Sequence, residues 1–155
     1  MGDVSVIVPT MRRLESLERA LRSLFAQTGV GERLAFIVVV DNDPEGTAAG
    51  TVSRLTSDSP CPLIYRHEPR PGVATARNAG LGMTAAPLIA FLDDDEAASP
   101  GWLMALLAAQ AITESDAVFG PIAGCVPEGT GWATPYLQRF FGREGPSSTG
   151  LINHS

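Results

Sequence analysis

PLIAFLDDD, from Pro87 to Asp95, is the segment whose pattern indicates the fold most clearly. Five consecutive apolar residues precede three aspartates with no spacer, and such a continuous run is typical of a strand covered on both faces of a sheet. A second apolar run, LAFIVVVDND from Leu34 to Asp43, ends in acid in the same way. Because ligands bind at the carboxyl ends of parallel strands, the two runs predict a parallel sheet with an acidic binding edge.

Outward from these runs, strand patterns alternate with helical patterns, as in an α/β domain. Apolar residues recur at helical spacing from Leu14 to Phe25, for example. The whole pattern predicts a mostly parallel sheet flanked by helices. The predicted strands are Val4–Pro9, Leu34–Asp43, Pro62–His67, Pro87–Asp95 and Asp116–Gly124, and the predicted helices lie over 14–25, 51–55, 72–83, 102–107 and 133–142.

Composition narrows the classes of function. The chain has 155 residues with 45% hydrophobic residues and a formal net charge of −6, which indicates one globular domain and argues against a nucleic-acid partner. Cys61 and Cys125 lie outside any CxxC or Cys/His cluster, so zinc is not expected. The N-terminus lacks the pattern of a signal peptide, and no apolar run approaches the length of a membrane span. We therefore expect a cytoplasmic protein.

The acids at the strand ends are the first candidates for a site. If the strands are neighbours, Asp41, Asp43, Asp93, Asp94 and Asp95 gather along one rim, and five carboxylates together need a positive partner. A divalent cation is the simplest one, since hard cations take carboxylate oxygens. Alternation along the chain predicts Asp93 and Asp95 on one side and Asp94 on the other. The alternative is a solvated acidic turn.

Basic and histidine residues give weaker signals. Arg77 and Asn78 lie on a predicted helix opened by Gly72, where Arg77 can neutralise the acids or contact a phosphate, or form only a surface ion pair. His67 follows a strand, but a lone histidine is more often structural. A P-loop and a G-x-G-x-x-G pattern are both absent from the sequence, which argues against a P-loop ATPase and a dinucleotide-binding Rossmann domain.

Four motifs in this order resemble the family 2 glycosyltransferases of the GT-A fold. They are VSVIVPTMRRLESLERALRSLFAQT, VVVDND, GVATARNAGL and IAFLDDDEAASPGWL, and together they cover roughly Val4 to Gly124. The resemblance implies a Rossmann-like GT-A sheet and the transfer of a sugar from a nucleotide diphosphate sugar to an acceptor, with inversion at the anomeric carbon. It also implies Mg²⁺ or Mn²⁺ as the cofactor.

The resemblance also implies roles for single residues near the nucleotide base. Pro9 and Thr10 resemble the loop beside the base, and Asp41 resembles the acid near it. Asn42 stands where the family often has a second aspartate that contacts uracil. A UDP sugar is therefore favoured by family habit only, and the base preference stays open.

Further roles concern the diphosphate and the metal. Arg77 and Asn78 resemble the Arg-Asn pair of the helix behind the diphosphate. Asp93 and Asp95 match the outer members of the DxD motif and Asp94 its middle residue. The resemblance makes Asp95 the metal ligand and places Asp93 at the ribose or in the water shell of the metal, with Asp94 beside the nucleotide sugar.

The resemblance leaves the acceptor side open. The family's general base lies well after the DxD motif, but Glu128 and Glu144, the acids that follow Asp116, lack its usual context. We expect residues 1–126 to form the domain that binds the nucleotide diphosphate sugar, and residues 127–155 to be the incomplete, irregular start of an acceptor region, truncated at the C-terminus. The acceptor is unknown, and peripheral membrane association is an open alternative. Two rival interpretations are an inactive nucleotide- and metal-binding module and, less favoured, a nucleotidyltransferase.

Overall fold

The computed structural model describes residues 2–125 and 131–143, with the side chains of Trp132 and Phe141 left out. Strands and helices alternate along the chain, as predicted. The strands are β1 (Val4–Thr10), β2 (Leu34–Asp41), β3 (Leu63–His67) and β4 (Leu88–Phe91), and the helices are α1 (Leu14–Phe25), α2 (Ala49–Leu55), α3 (Val73–Leu81), α4 (Trp102–Thr113) and α5 (Thr134–Phe141). The short helix predicted over 133–142 is confirmed by α5.

The four strands form one parallel sheet in the order β3-β2-β1-β4. Thr10 of β1 lies opposite Asp41 of β2, and Asp41 lies opposite His67 of β3. Ile7 of β1 pairs with Phe91 of β4. The carboxyl ends of all four strands therefore lie at one edge of the sheet, as the sequence predicted.

Both faces of the central strands are covered. On one face, Ile7, Val38 and Val40 form a buried cluster with Ala76 of α3. Val6 and Val8 alternate with Ile7 along β1 and are also fully buried. Double-sided burial accounts for the continuous apolar runs in the sequence.

The predicted fifth strand, Asp116–Gly124, is wrong. That segment contains an isolated antiparallel bridge in which Ile122 and Arg143 exchange two backbone hydrogen bonds of 2.7 Å. Pro121 removes a donor from the middle of the segment. Phe119 is 61% exposed, so the apolar pattern that suggested a strand does not bury its aromatic side chain.

The chain divides into two compact units, Met1–Met104 and Ala105–Ser155. The sheet and the acids at its edge belong to the first unit. The predicted division at residue 126 concerns donor and acceptor roles, and it stays a prediction. Within the described residues, no helix is long and apolar enough to cross a membrane.

Candidate functional site

An open cleft of about 400 Å³ lies at the carboxyl ends of β1, β2 and β4. The loops that follow the three strands and the first turn of α3 form its walls. Six of the predicted site residues are part of its lining, whereas Asp41, Arg77 and Asn78 are not. The lining residues are Pro9, Thr10, Met11, Arg13, Asn42, Gly72, Val73, Ala76, Asp93, Asp94 and Asp95.

The three aspartates after β4 differ in exposure in the predicted pattern, but a turn orients them, since the Glu96 N–H donates to the carbonyl of Asp93 at 3.1 Å. The Leu92 N–H donates to the carbonyl of Ile7 at 3.2 Å, which continues the pairing of β4 with β1 up to the first acid. The side chain of Asp94 is 9% exposed, whereas those of Asp93 and Asp95 are 48% and 56% exposed. Two accessible carboxylates therefore flank a buried one.

Asp94 joins the loop after β4 to the loop after β1. The Thr10 hydroxyl donates a 2.8 Å hydrogen bond to Asp94 Oδ2, and the Met11 N–H approaches the same oxygen at 3.4 Å. Thr10 itself is only 3% exposed. The buried carboxylate thus fixes the two loops that carry most of the cleft.

Two arginines neutralise the outer acids. Arg77 Nη2 donates to Asp93 Oδ1 at 2.9 Å, and this ion pair between partly exposed side chains fits both a neutralising role and the alternative of a surface ion pair. Arg13 Nη1 donates to Asp95 Oδ2 at 2.7 Å and lies 3.4 Å from Asp94 Oδ1. Arg13 was not singled out from the sequence, although its position just after β1 places it at the same edge of the sheet.

Arg77 is also held by packing. Its guanidinium carbon lies 5.3 Å from the centroid of the Phe91 ring, a distance that suits a cation–π interaction. Its Nε is buried and has no hydrogen-bond partner. Arg77 therefore supports the cleft from behind Asp93, while Arg13 lies in the cleft lining.

Glu96 adds a fourth carboxyl group that the sequence analysis did not assign. Its Oε2 accepts a hydrogen bond of 3.3 Å from the Asp93 N–H. Partial burial, together with the charges of Asp93 and Asp95, raises the pKa of Glu96. The adjacent position in DDDE was the available signal.

Asn42 organises the loop between β3 and α3. Its Nδ2 donates to the carbonyls of Glu68 and Arg70, both at 2.7 Å, and its Oδ1 accepts from the Gly72 N–H at 2.9 Å. Gly72 has a φ of 130°, a backbone conformation that favours glycine. Asn42 therefore lines the cleft, while the oxygen and nitrogen of its amide group are hydrogen-bonded to the backbone of the loop between β3 and α3.

Asp41 and Asp43 turn into the protein, so the predicted single rim of five carboxylates is wrong. Asp41 is fully buried and accepts hydrogen bonds from the Ala48 N–H at 2.7 Å and the Tyr65 hydroxyl at 3.0 Å. Asp43 accepts from Thr47 Oγ1 at 2.7 Å and Arg12 Nε at 2.9 Å, and these donors lower the pKa of Asp43. Local donors satisfy both acids. The assignment of Asp41 to nucleotide binding stays a prediction.

The remaining candidates lie outside the cleft lining. Asn78 is exposed on α3, and its assignment to donor binding also stays a prediction. His67 Nε2 lies 2.8 Å from the carbonyl oxygen of Asp43, which supports the structural interpretation of this histidine. Within the described residues, no group of three or more His, Cys, Asp or Glu side chains is arranged to hold a metal ion. A cation here would therefore rest on one or two carboxylates.

The chain is similar in sequence to curated bacterial proteins, among them a named glucosyltransferase. The chain is 39% identical over 120 residues to the succinoglycan biosynthesis protein ExoM of Rhizobium meliloti, covering 77% of this chain and 38% of that protein. It is 33% identical over 108 residues to validoxylamine A glucosyltransferase of Streptomyces hygroscopicus, covering 70% of this chain and 25% of that protein. The chain thus spans well under half the length of these curated relatives.

Solved structures show the same fold. The structure of Staphylococcus aureus TarS 1–349 in complex with UDP superposes with a TM-score of 0.70 at 22% identity, covering 86% of this chain and 39% of that one. The mannosyltransferase PcManGT from Pyrobaculum calidifontis, solved with GDP-Man and Mn²⁺, gives a TM-score of 0.61 at 25% identity, covering 81% and 36%. Both likenesses confirm the predicted GT-A architecture.

The model of the family described as glycosyl transferase family 2 matches residues 5–154. This match takes in the sheet, the cleft at its edge and the acids that follow β4. The chain belongs to glycosyl transferase family 2.

Proposed function

We propose that the protein takes part in transferring a sugar from a nucleotide diphosphate sugar to an acceptor, with inversion at the anomeric carbon, and that this chain binds the donor. The observation that carries the proposal is the pair of exposed carboxylates, Asp93 and Asp95, in the cleft at the carboxyl edge of the parallel sheet. The family match and the GT-A likeness support the same assignment.

The residues in the cleft fit a divalent cation. Asp95 and Asp93 offer hard carboxylate oxygens that are half exposed, and Mg²⁺ and Mn²⁺ suit a site of one or two carboxylates completed by waters and phosphate oxygens. PcManGT, solved with Mn²⁺ and a nucleotide sugar, supports this choice of cofactor. When bound, the cation would supply positive charge against the departing nucleotide diphosphate.

Eight of the nine predicted site residues receive the roles that follow, and the ninth, Asp41, stays the predicted acid near the base. Asp95 holds the cation and Asp93 lies beside the ribose or the water shell of the cation. Pro9, Thr10 and Asn42 border the base, and a UDP sugar is the favoured donor by family habit only. Asp94, hydrogen-bonded to Thr10, keeps the two loops in register, and Arg77 and Asn78 stand behind the diphosphate.

The proposal assigns no general base and no acceptor. Inverting transfer needs a base that removes the proton of the acceptor hydroxyl on the face opposite the leaving group. Glu128 and Glu144, the later acids considered in the sequence, lie outside the described residues. Donor binding is therefore the part of the proposed function that can be measured directly on this chain.

The test is calorimetric titration of UDP, GDP and dTDP, each with and without Mn²⁺. We expect one nucleotide to bind in a metal-dependent manner and Asp95→Asn to lose at least tenfold in affinity. The matched control is Glu32→Gln, since Glu32 is an exposed carboxylate that precedes β2, at the opposite end of that strand. If the folded wild-type chain binds none of the nucleotides, or if Glu32→Gln weakens binding as much as Asp95→Asn, the proposal is wrong.

A further inference from the structure

Arg13 is the residue of the cleft whose contacts the proposed function leaves unused. Its Nη1 is 2.7 Å from Asp95 Oδ2 and 3.4 Å from Asp94 Oδ1. The first of these oxygens belongs to the carboxylate proposed to hold the divalent cation. A guanidinium and a divalent cation repel each other, so they compete for Asp95.

The backbone of Arg13 is anchored while its side chain is accessible. The Arg13 carbonyl accepts the first hydrogen bond of α1, from the Leu17 N–H at 2.8 Å. The preceding residue, Arg12, has a φ of 58° and is tied to Asp43 by a 2.9 Å hydrogen bond. The Arg13 side chain is 56% exposed, so its guanidinium can move without disturbing the loop.

The second arginine of the rim is far less suited to move. Arg77 packs against the Phe91 ring, and its Nε is buried. Its hydrogen bond goes to Asp93 and not to Asp95. Of the two arginines, Arg13 is therefore the displaceable one.

We propose that Arg13 is an internal counter-ion that neutralises Asp95 until a divalent cation binds there, and that it then turns to the diphosphate of the donor. This inference rests on the proposed function of the cleft. A guanidinium suits both partners, because its fork of N–H donors matches a carboxylate and a phosphate equally well. Asp94, fixed by Thr10, keeps the arginine close to the cleft during the exchange.

The exchange has a measurable consequence for each ligand. Without nucleotide, Arg13 lowers the affinity for Mn²⁺, because the cation must first displace it from Asp95. With Mn²⁺ bound, Arg13 raises the affinity for UDP through its contact with the phosphates. A purely structural arginine would affect neither affinity, and an exposed ion pair of this kind contributes little to folding stability.

The experiment compares wild type, Arg13→Gln, Arg13→Lys and Arg19→Gln in two calorimetric titrations, Mn²⁺ alone and UDP at saturating Mn²⁺. Arg19 is the matched control, since it is exposed on α1 and contacts only Ser16 through its side chain among the contacts that the described residues show. We expect Arg13→Gln to bind Mn²⁺ alone roughly fivefold more tightly and UDP roughly tenfold more weakly, from the usual strength of exposed and charge-assisted pairs. Arg13→Lys should lie between wild type and Arg13→Gln.

Three results would overturn the inference in different ways. If wild type binds Mn²⁺ and UDP but Arg13→Gln changes neither affinity, Arg13 is only structural and the proposed function stands. If the folded wild type and all variants bind neither ligand, the inference and the proposed function fall together. A change in Arg13→Gln that Arg19→Gln reproduces would show a general effect of net charge and would also overturn the inference.

Discussion

Gly80 allows α3 to lie directly against the central strands, and its replacement by alanine tests the packing behind the cleft. Gly80 is buried in the helix that also carries Arg77. A Cβ added there would lie 2.5 Å from Ile7 Cγ2, 3.1 Å from Val40 Cγ2 and 3.3 Å from Ile7 Cδ1. Ile7 and Val40 are fully buried core residues, so neither side chain has solvent space into which it can move.

Two opposing terms set the size of the effect of Gly80→Ala. Overpacking a well-filled core costs about 1–3 kcal/mol. Alanine in place of glycine within a helix recovers about 0.5–1 kcal/mol. The 2.5 Å approach to Ile7 Cγ2 places the overpacking cost in the upper part of its range, about 2–3 kcal/mol. The net destabilisation is therefore about 1–2.5 kcal/mol, which corresponds to a decrease in Tm of about 2–10 °C for a chain of this size.

Gly50→Ala provides the matched control because it makes the same chemical change in another helix. Apart from its chain neighbours and the nearby backbone of α2, a Cβ at Gly50 would meet no atom within 4 Å. Only the helix-propensity term operates there, so we expect a stabilisation of about 0.5–1 kcal/mol. Thermal and urea unfolding of both variants measure the two effects, which should have opposite signs.

The contradicting result is equally definite. If Gly80→Ala is as stable as wild type or more stable, while Gly50→Ala shows the expected gain, α3 moves away from β1 at no cost. The close contact between Gly80 and Ile7 then does not determine the position of α3. If the contact does determine it, Gly80→Ala should also weaken nucleotide binding, because Ala76, one turn earlier on α3, lines the cleft.

Two further predictions concern buried polar groups. Tyr65→Phe removes the 3.0 Å hydrogen bond to the buried Asp41 carboxylate and should lower the free energy of unfolding in urea by about 1–2 kcal/mol. The measurement is made at neutral pH, where the Tyr65 hydroxyl is protonated because burial and Asp41 raise its pKa to about 12. An unchanged unfolding midpoint would contradict the role of this bond. Glu68 has its pKa lowered from 4.5 to about 2 by hydrogen bonds from Arg70, so its stabilising contribution is complete above about pH 4.5 and is lost as the pH falls towards 2. Glu68→Gln should therefore flatten the decrease in Tm between about pH 5 and pH 2, and an unaltered pH profile would show that Glu68 does not contribute.

Local pattern was sufficient for the sheet and for part of the site. β1 and β2 are continuous apolar runs because both faces of these central strands are buried. β4, at the edge of the sheet, is only partly buried, with Phe91 38% exposed, so the cover on both faces expected from PLIAFL is not found there. Asp94 and its two neighbours show the predicted difference in exposure, but Asp94 and Asp95 lie in a turn closed by the hydrogen bond from the Glu96 N–H to the Asp93 carbonyl, so this turn and not alternation along an extended chain produces it. Both features depend on residues that are adjacent in sequence.

Features that depend on distant partners were not predictable in this way. Asp41 and Asp43 look like rim acids in the sequence, but Tyr65 and Arg12 draw their carboxylates into buried hydrogen bonds. The partner of Asp95 is Arg13, which lies 82 positions earlier in the chain. The Asp116–Gly124 segment failed as a strand for the related reason that an apolar run needs a neighbouring strand to pair with, and among the described residues this segment forms only the isolated bridge between Ile122 and Arg143.

The balance of charge among the side chains after β4 indicates how strongly the protein itself would favour a bound cation. The three aspartates and Glu96 after β4 are accompanied by the guanidiniums of Arg13 and Arg77, which offset two of the four carboxyl groups and so reduce the demand for a metal from the protein alone. A nucleoside diphosphate brings several further negative charges into the same cleft, and these are unfavourable beside carboxylates without added positive charge. If the cleft binds the proposed nucleotide diphosphate sugar, the demand for a divalent cation therefore arises chiefly from that donor. By linkage, cation and nucleotide should each strengthen the binding of the other.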